Sequence, residues 1–241
     1  MNIILCGYNW AGCRALDILI ELGHSVFVCT HESPAHIPSL FNYSKDRGIP
    51  VSFESVNSVK LPFKPDILCS IYYRSLINKP ILDSVNNKAF NLHPSILPFY
   101  RGCSSLTWAM INGEKETGYT YHYIDKDIDT GKVILQRRIK IYPFDNQNNL
   151  YQRIMFEALD SLKEVLRLIN EGFLGNDQLG EATYYSRGAP EFGEINDEWP
   201  IDKIKRFINA MINPPLPYAK YKGVEIKSFK DYLQVKNENR N

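Results

Sequence analysis

The chain has no long hydrophobic run. No segment approaches the roughly 20 consecutive apolar residues that a membrane-spanning helix needs, so a place within a bilayer is not expected. It has no charge excess either: 28 Lys and Arg stand against 27 Asp and Glu, a net charge of +1. That balance argues against a nucleic-acid surface or a polybasic membrane patch. Paired cysteines are missing as well. Cys6, Cys13, Cys29, Cys69 and Cys103 are odd in number, fall in the first half and form no Cys-x-x-Cys. This excludes a zinc knuckle or a disulfide framework and fits a reducing compartment. The first residues carry neither a basic cluster nor a signal-length apolar stretch, so a cytoplasmic protein is expected.

Several familiar motifs are absent too. Without a Gly-x-Ser-x-Gly elbow a serine hydrolase has no support. The turn Gly7-Tyr8-Asn9-Trp10-Ala11-Gly12 is followed by Cys13-Arg14, where a P-loop needs Lys and Ser or Thr. It also lacks Gly-x-Gly-x-x-Gly, so neither ATP nor NAD is supported. What remains is a helix N-terminus at the end of a strand, suited to an anionic group such as a diphosphate or to close αβ packing. Asp125, Asp127 and Asp129 imitate the first, third and fifth positions of a calcium loop. Thr130 stands where that loop needs glycine and Gln136 where it needs glutamate, which excludes calcium. His31 and His36 have no supporting carboxylate pattern, and no metal is expected.

The 241 residues, 44% hydrophobic and 23% charged, suffice for one large domain with a small appendage. Short apolar runs at 2–6, 25–30, 51–53, 66–71 and 89–92 read as strands. Helical patterns over 10–22 and 34–46 alternate with them, which predicts right-handed βαβ units and a mostly parallel sheet flanked by helices, an α/β Rossmann-like fold. A helix over 104–111, strands over 118–124 and 132–141, and one long helix over 145–172, started by Asp145 or Asn146, complete the domain at 1–180. Residues 181–241 read as a small aromatic appendage: a short extended piece at 183–186, a helix over 202–212, Pro214 to Pro217, a hairpin around Tyr221-Lys222-Gly223, and a polar, disordered tail from Lys236. Its Tyr, Trp and Phe suit a homodimer interface.

Candidate chemistry centres on Asn91-Leu92-His93-Pro94-Ser95-Ile96-Leu97-Pro98-Phe99-Tyr100-Arg101-Gly102. In an extended strand Asn91 and His93 share one face. An amide donor beside a base that titrates near neutrality suits acyl-type transfer, although a satisfied histidine before a proline turn reads equally well. The Pro94–Pro98 turn, with a cis Leu97–Pro98 bond, would end the strand and open a cleft. Within the Asp125–Gly131 loop, a solvated acidic turn accounts for Asp125 and Asp127 better than for Asp129. His122, between Tyr121 and Tyr123, reads as core packing or as a wall of the cleft.

The segment 91–102 resembles the signature of the N10-formyltetrahydrofolate-dependent formyltransferases, in which an Asn-x-His pair is joined by a downstream aspartate. The family spacing from His to Asp is about 36, and 129 − 93 = 36 lands on Asp129 of Asp-Thr-Gly. Residues 66–77 and 108–118, with Tyr185-Ser186-Arg187 and Trp199-Pro200, look like the formyltransferase domain of the enzyme modifying UDP-4-amino-4-deoxy-arabinose. The likeness covers about residues 1–230. It implies a sugar N-formyltransferase of surface polysaccharide (O-antigen) synthesis, with N10-formyltetrahydrofolate as co-substrate and no metal. The acceptor it implies is a nucleotide-linked amino sugar, with dTDP-4-amino-4,6-dideoxyglucose favoured. It assigns catalysis to Asn91, His93 and Asp129, and the folate to Ser70, Ile71, Tyr72, Tyr73, Asp125 and Ile128. Tyr8, Asn9, Trp10, Arg101 and Arg187 are assigned to the sugar nucleotide. Rival readings are a formyltransferase with a purine-precursor or methionyl-tRNA acceptor, and a folate- or nucleotide-binding regulatory module.

Overall fold

The computed structural model describes residues 1–214 and 216–238. Its framework is a seven-stranded sheet in the order β3-β2-β1-β4-β5-β7-β8. The strands are β1 (Asn2–Gly7), β2 (Ser25–Cys29), β3 (Val51–Ser52), β4 (Ile67–Ile71), β5 (Ala89–His93), β7 (Glu116–Tyr123) and β8 (Val133–Lys140), with β6 (Arg101–Gly102) lying outside it. The first five in that order pair in parallel, and β7 runs antiparallel to β5. This is the mostly parallel α/β architecture that the alternation of apolar runs and helical patterns predicts. Strand order reverses between β1 and β4, the point at which open α/β sheets present crevices beyond their carboxyl ends.

The chain divides into two compact units. The first comprises 1–93, 120–136 and 156–178; the second comprises 94–119, 137–155 and the residues from Leu179 onward. In the first unit, Ile4, Cys6, Phe27, Cys29, Leu68 and Ala89 pack with Val56, Leu82 and Val85 into one apolar cluster. These strands are buried along nearly their whole length, which is why they read as continuous apolar runs rather than as alternating patterns. Helix α1 (Asn9–Glu21) buries Ala11, Ala15, Leu16 and Leu19. In the second unit, α4 (Ser105–Asn112) contacts α7 (Ile201–Ala210), which buries Ile204, Phe207 and Ile208.

Some expectations need correction. The helix predicted over 34–46 is confined to α2 (Leu40–Lys45), because Pro34 and Pro38 hold the preceding stretch in turns and Ser39 caps the helix by accepting the Asn42 N–H at 3.3 Å. A short α3 (Lys79–Ser84), capped by Asn78, was not predicted. The long helix is two, α5 (Gln147–Asp160) and α6 (Leu162–Asn170). They part at Ser161, whose hydroxyl bonds back to the Glu157 carbonyl at 3.1 Å and whose N–H is shared between the Ala158 and Glu157 carbonyls at 3.0 and 3.3 Å. Of the two candidate caps, Asn146 does the work: its Oδ1 accepts the Asn149 N–H at 3.0 Å, while Asn149 Oδ1 accepts the Asn146 N–H at 2.9 Å. The piece at 183–186 is β9 (Tyr184–Tyr185), and the hairpin is β10 (Ala219–Tyr221) with β11 (Val224–Ile226). Disorder from Lys236 is not observed. Helix α8 (Phe229–Glu238) reaches Glu238, and Lys236 lies 3.1 Å from Asp197. Residues 239–241 of the expected tail, and Pro215 of the proline stretch, lie outside the described residues. The Leu97–Pro98 bond is cis.

Candidate active site

The site follows from strand register. Asn91 of β5 stands beside Ser70 of β4 and opposite His122 of β7, and His93 stands opposite Thr120. Directly paired residues leave a sheet on the same face, so Ser70, Asn91 and His122 form a polar row across three strands, with His93 two residues along. Ser70 is 5% exposed, His93 5% and His122 2%. Polar groups buried this deeply need partners, and they find them in one another. The Ser70 hydroxyl donates to Asn91 Oδ1 at 2.8 Å, and Asn91 Nδ2 lies 3.3 Å from His122 Nε2. The fourth member comes from the loop after β7. One Asp129 carboxylate oxygen lies 3.5 Å from His93 Nδ1 and the other 3.5 Å from His122 Nε2. Asp129 thus faces two imidazoles at ion-pairing range.

Local structure explains how the loop delivers Asp129. Asp129 adopts a left-handed φ of +56°, a backbone state that needs support in a non-glycine residue. Two anchors hold it. The Gln178 amide donates to the carbonyls of Asp129 and Gly131, each at 2.8 Å. At Gly131 the backbone passes so close to the Tyr123 carbonyl oxygen that any Cβ would collide with it, which accounts for the glycine of the Asp-Thr-Gly triplet. Asp125 stabilises the same loop from within, accepting from the Thr130 hydroxyl at 2.5 Å and the Asp127 N–H at 3.3 Å. Among the described residues, no group of three or more His, Cys, Asp or Glu could hold a metal ion.

The remaining candidates are distributed as follows. Ser70 and Ile71 close β4 and are buried. Tyr72 follows in a left-handed turn at φ +64° and is exposed. Tyr73 is half-buried, its hydroxyl accepting the Val56 N–H and its ring stacked on His31 at 4.6 Å. Ile128 is exposed at the loop tip. Tyr8 is buried, stacks on Tyr72 at 6.2 Å and carries the Arg74 guanidinium 4.1 Å above its ring. His31 accepts the Arg74 N–H at 3.0 Å through Nε2; burial, with the Arg74 charge, pushes its pKa below the ordinary value. Asn9 turns its own side chain to the α1 N-terminus, Oδ1 accepting the Ala11 N–H at 2.8 Å, so that donor is already satisfied. Trp10 packs on Phe156 at 5.0 Å. Arg101 and Arg187 belong to the second unit. Arg101 stacks over the Tyr184 ring and bonds its hydroxyl, while Arg187 is exposed.

Two residues of this network escaped the sequence. His122 read as core or wall because a lone histidine between tyrosines carries no local signal, and only the β5–β7 register aligns it with Asn91. Gln178 lies 49 residues from the carbonyl it binds.

Residues 27–166 match the family model described as formyl transferase. A GDP-perosamine N-formyltransferase of Brucella melitensis biotype 1 is 37% identical over 226 residues, covering 90% of this chain and 87% of its own. The bifunctional polymyxin resistance protein ArnA of Wigglesworthia glossinidia brevipalpis is 33% identical over 228 residues, covering 89% of this chain and 35% of that protein. Among solved structures, a sugar 3N-formyl transferase in the presence of dTDP and 5-N-formyl-THF superposes with a TM-score of 0.82 at 22% identity, covering 94% of this chain and 85% of that one. The N-formyltransferase from Helicobacter canadensis, in complex with folinic acid and dTDP-3-aminofucose, gives 0.77 at 24%, covering 94% and 86%. At these identities the two structures speak to the fold.

Proposed function

This chain belongs to the formyl transferase family, and from that premise we propose that it moves a formyl group from N10-formyltetrahydrofolate to the amine of a nucleotide-linked amino sugar. The observation that carries the reading is the convergence of Asn91, His93 and Asp129 on one buried face, two residues of a strand and one of a remote loop. A binding module has no need of an amide donor, a base and a carboxylate brought together in this way. The fit to a formyl donor rests on the Asn91 amide. Its oxygen accepts from Ser70, and its NH2 points the other way, toward His122. One hydrogen engages the imidazole, and the second suits a carbonyl oxygen.

N10-Formyltetrahydrofolate supplies an activated formyl carbon. Its pterin is assigned to the backbone of Ser70–Tyr73 and of Asp125–Asp129, where the exposed Tyr72 and Ile128 offer apolar surface beside peptide groups. Asn91 then donates to the formyl oxygen as negative charge gathers there, a contribution of about 3–4 kcal/mol in comparable oxyanion sites. The sugar amine bonds to the formyl carbon while His93 takes its proton through Nε2. As the bond from that carbon to N10 breaks, the proton passes to N10, which leaves as tetrahydrofolate. Asp129, facing Nδ1, orients the ring. Within the first unit, Tyr8, Asn9 and Trp10 are the candidates for the sugar nucleotide, at the N-terminus of α1.

For the acceptor we put GDP-perosamine first, a reading supported by the 37% identity to a protein named for that sugar. The dTDP-4-amino-4,6-dideoxyglucose implied by the family resemblance stands second, supported by neighbours solved with dTDP and a dTDP-linked amino sugar. Surface-polysaccharide synthesis in the cytoplasm is the setting this chemistry fits. The test is mass-spectrometric detection of the formylated product from each sugar with N10-formyltetrahydrofolate. Asn91→Ala, His93→Ala and Asp129→Ala are each expected to lower kcat by about a hundredfold to a thousandfold. Full activity in His93→Ala, or transfer to neither sugar, would reject the reading.

A further inference from the structure

His122 has three polar neighbours, and together they restrict what it does. Its Nδ1 lies 2.8 Å from the Tyr123 carbonyl oxygen. A carbonyl only accepts, so Nδ1 carries the proton and the tautomer is fixed. Nε2 is then the nitrogen that faces both Asn91 Nδ2 at 3.3 Å and Asp129 Oδ1 at 3.5 Å. In the neutral ring Nε2 is an acceptor and takes one amide hydrogen from Asn91. In the imidazolium it is a donor, turns to Asp129 and can no longer accept from the amide. Only the neutral form holds both ends of Asn91, with Ser70 on the oxygen and His122 on the nitrogen.

We infer that His122 is a positioning residue for formyl transfer: as a tautomer-fixed acceptor it sets the orientation of the Asn91 amide, and with it the direction of the second amide hydrogen. This deepens the proposed function and rests on Asn91 being the oxyanion donor. Without His122 the amide can rotate about its last side-chain bond, and the donor is no longer held where charge develops. Because preorganised donors act only when aimed in advance, the loss falls on the chemical step and not on binding.

The test uses the full chain with N10-formyltetrahydrofolate and the better of the two nucleotide sugars. His122→Phe fills the same space without an acceptor, and His122→Leu takes its place if the Phe variant does not fold. His122→Gln keeps a side-chain oxygen able to accept from Asn91. The apolar variant is expected to lose about tenfold to a hundredfold in kcat, as removal of groups that orient a reactive one commonly does. Both KM values are expected to stay within about twofold, and the Gln variant to recover most of the loss. An apolar variant with unchanged kcat overturns the inference. So does a Gln variant as slow as the apolar one, since a purely structural histidine would show no such rescue. If the unaltered chain transfers no formyl group, it is the functional reading that fails; if it does and His122 is dispensable, only the present inference fails.

Discussion

Asp145 shows how much a single buried carboxylate can depend on its surroundings. It is 2% exposed, accepts the Tyr142 N–H at 2.8 Å, and receives two bonds from Arg153 at 3.0 and 2.6 Å. Burial alone would push its pKa up, but the Arg153 bonds and the Tyr142 N–H outweigh it and hold the carboxyl below its ordinary value. A folded-state pKa below the unfolded one means that this stabilisation is fully present above about pH 4 and is lost as pH falls through the lower folded value. Asp145→Ala is expected to cost roughly 2–3 kcal/mol at pH 7, below the 3–5 typical of fully buried pairs because Arg153 keeps some solvent contact. The cost should be smaller in melts at pH 3 than at pH 7, and an equal loss at both pH values would contradict the assignment. At this scale the sequence was partly legible. Asn91 and His93 stood out by residue type and Asp129 through the spacing of 36 that the family resemblance implies, whereas Asp145 read only as a helix cap, because its partner Arg153 lies eight residues on.

The loop from Asp125 to Gly131 joins local chemistry to the geometry of the proposed active site. Its acidic composition suggested calcium, and the missing glycine and glutamate excluded it, but nothing in the sequence explains how Asp129 stays in a left-handed conformation. The Gln178 clamp and the close pass of Gly131 against Tyr123 supply that support. Gly131→Ala is therefore expected to push the loop off the strand at a cost of about 1–3 kcal/mol. Since displacements near 1 Å can cost about a hundredfold in rate, kcat should fall by that order while folate KM changes little. Gln178→Ala should show the same pattern more weakly, with about 1 kcal/mol lost per bond removed. A Gly131→Ala variant with normal stability and turnover would show that the loop does not need this anchor. Elements were legible where one periodicity ran unbroken, as in α1 and the apolar strands. They were not legible where a helical pattern broke, at Pro38 and at the back-bonding Ser161.

At the scale of the whole molecule, composition limited the answer early: near-neutral charge gave no sign of nucleic acid, and no helix among the described residues is long and apolar enough to cross a membrane. The alternation of strands and helices made the sheet legible. The interleaved make-up of the two units was not, because it depends on which distant segments pack together. Within the second unit, the segment after residue 180 has a feature that burial in a monomer does not account for. Phe192 is 95% exposed, and both it and Glu191 adopt left-handed φ values, +57° and +49°. Such conformations in non-glycine residues cost roughly 1–3 kcal/mol each, and an exposed phenylalanine forgoes about 1.5–3 kcal/mol of burial. Leu216, Val224 and Leu233 of the same segment are exposed as well. We propose that 181–238 serves as a homodimer interface in which Phe192 is an anchor, since aromatic anchors dominate interface energetics. Light scattering at micromolar concentration is expected to give twice the chain mass. Phe192→Asp should return a monomer with unchanged melting of its own fold, because the Phe192 side chain is 95% exposed. A monomeric unaltered chain, or a dimer that survives Phe192→Asp combined with Leu233→Asp, would place the interface elsewhere or remove it.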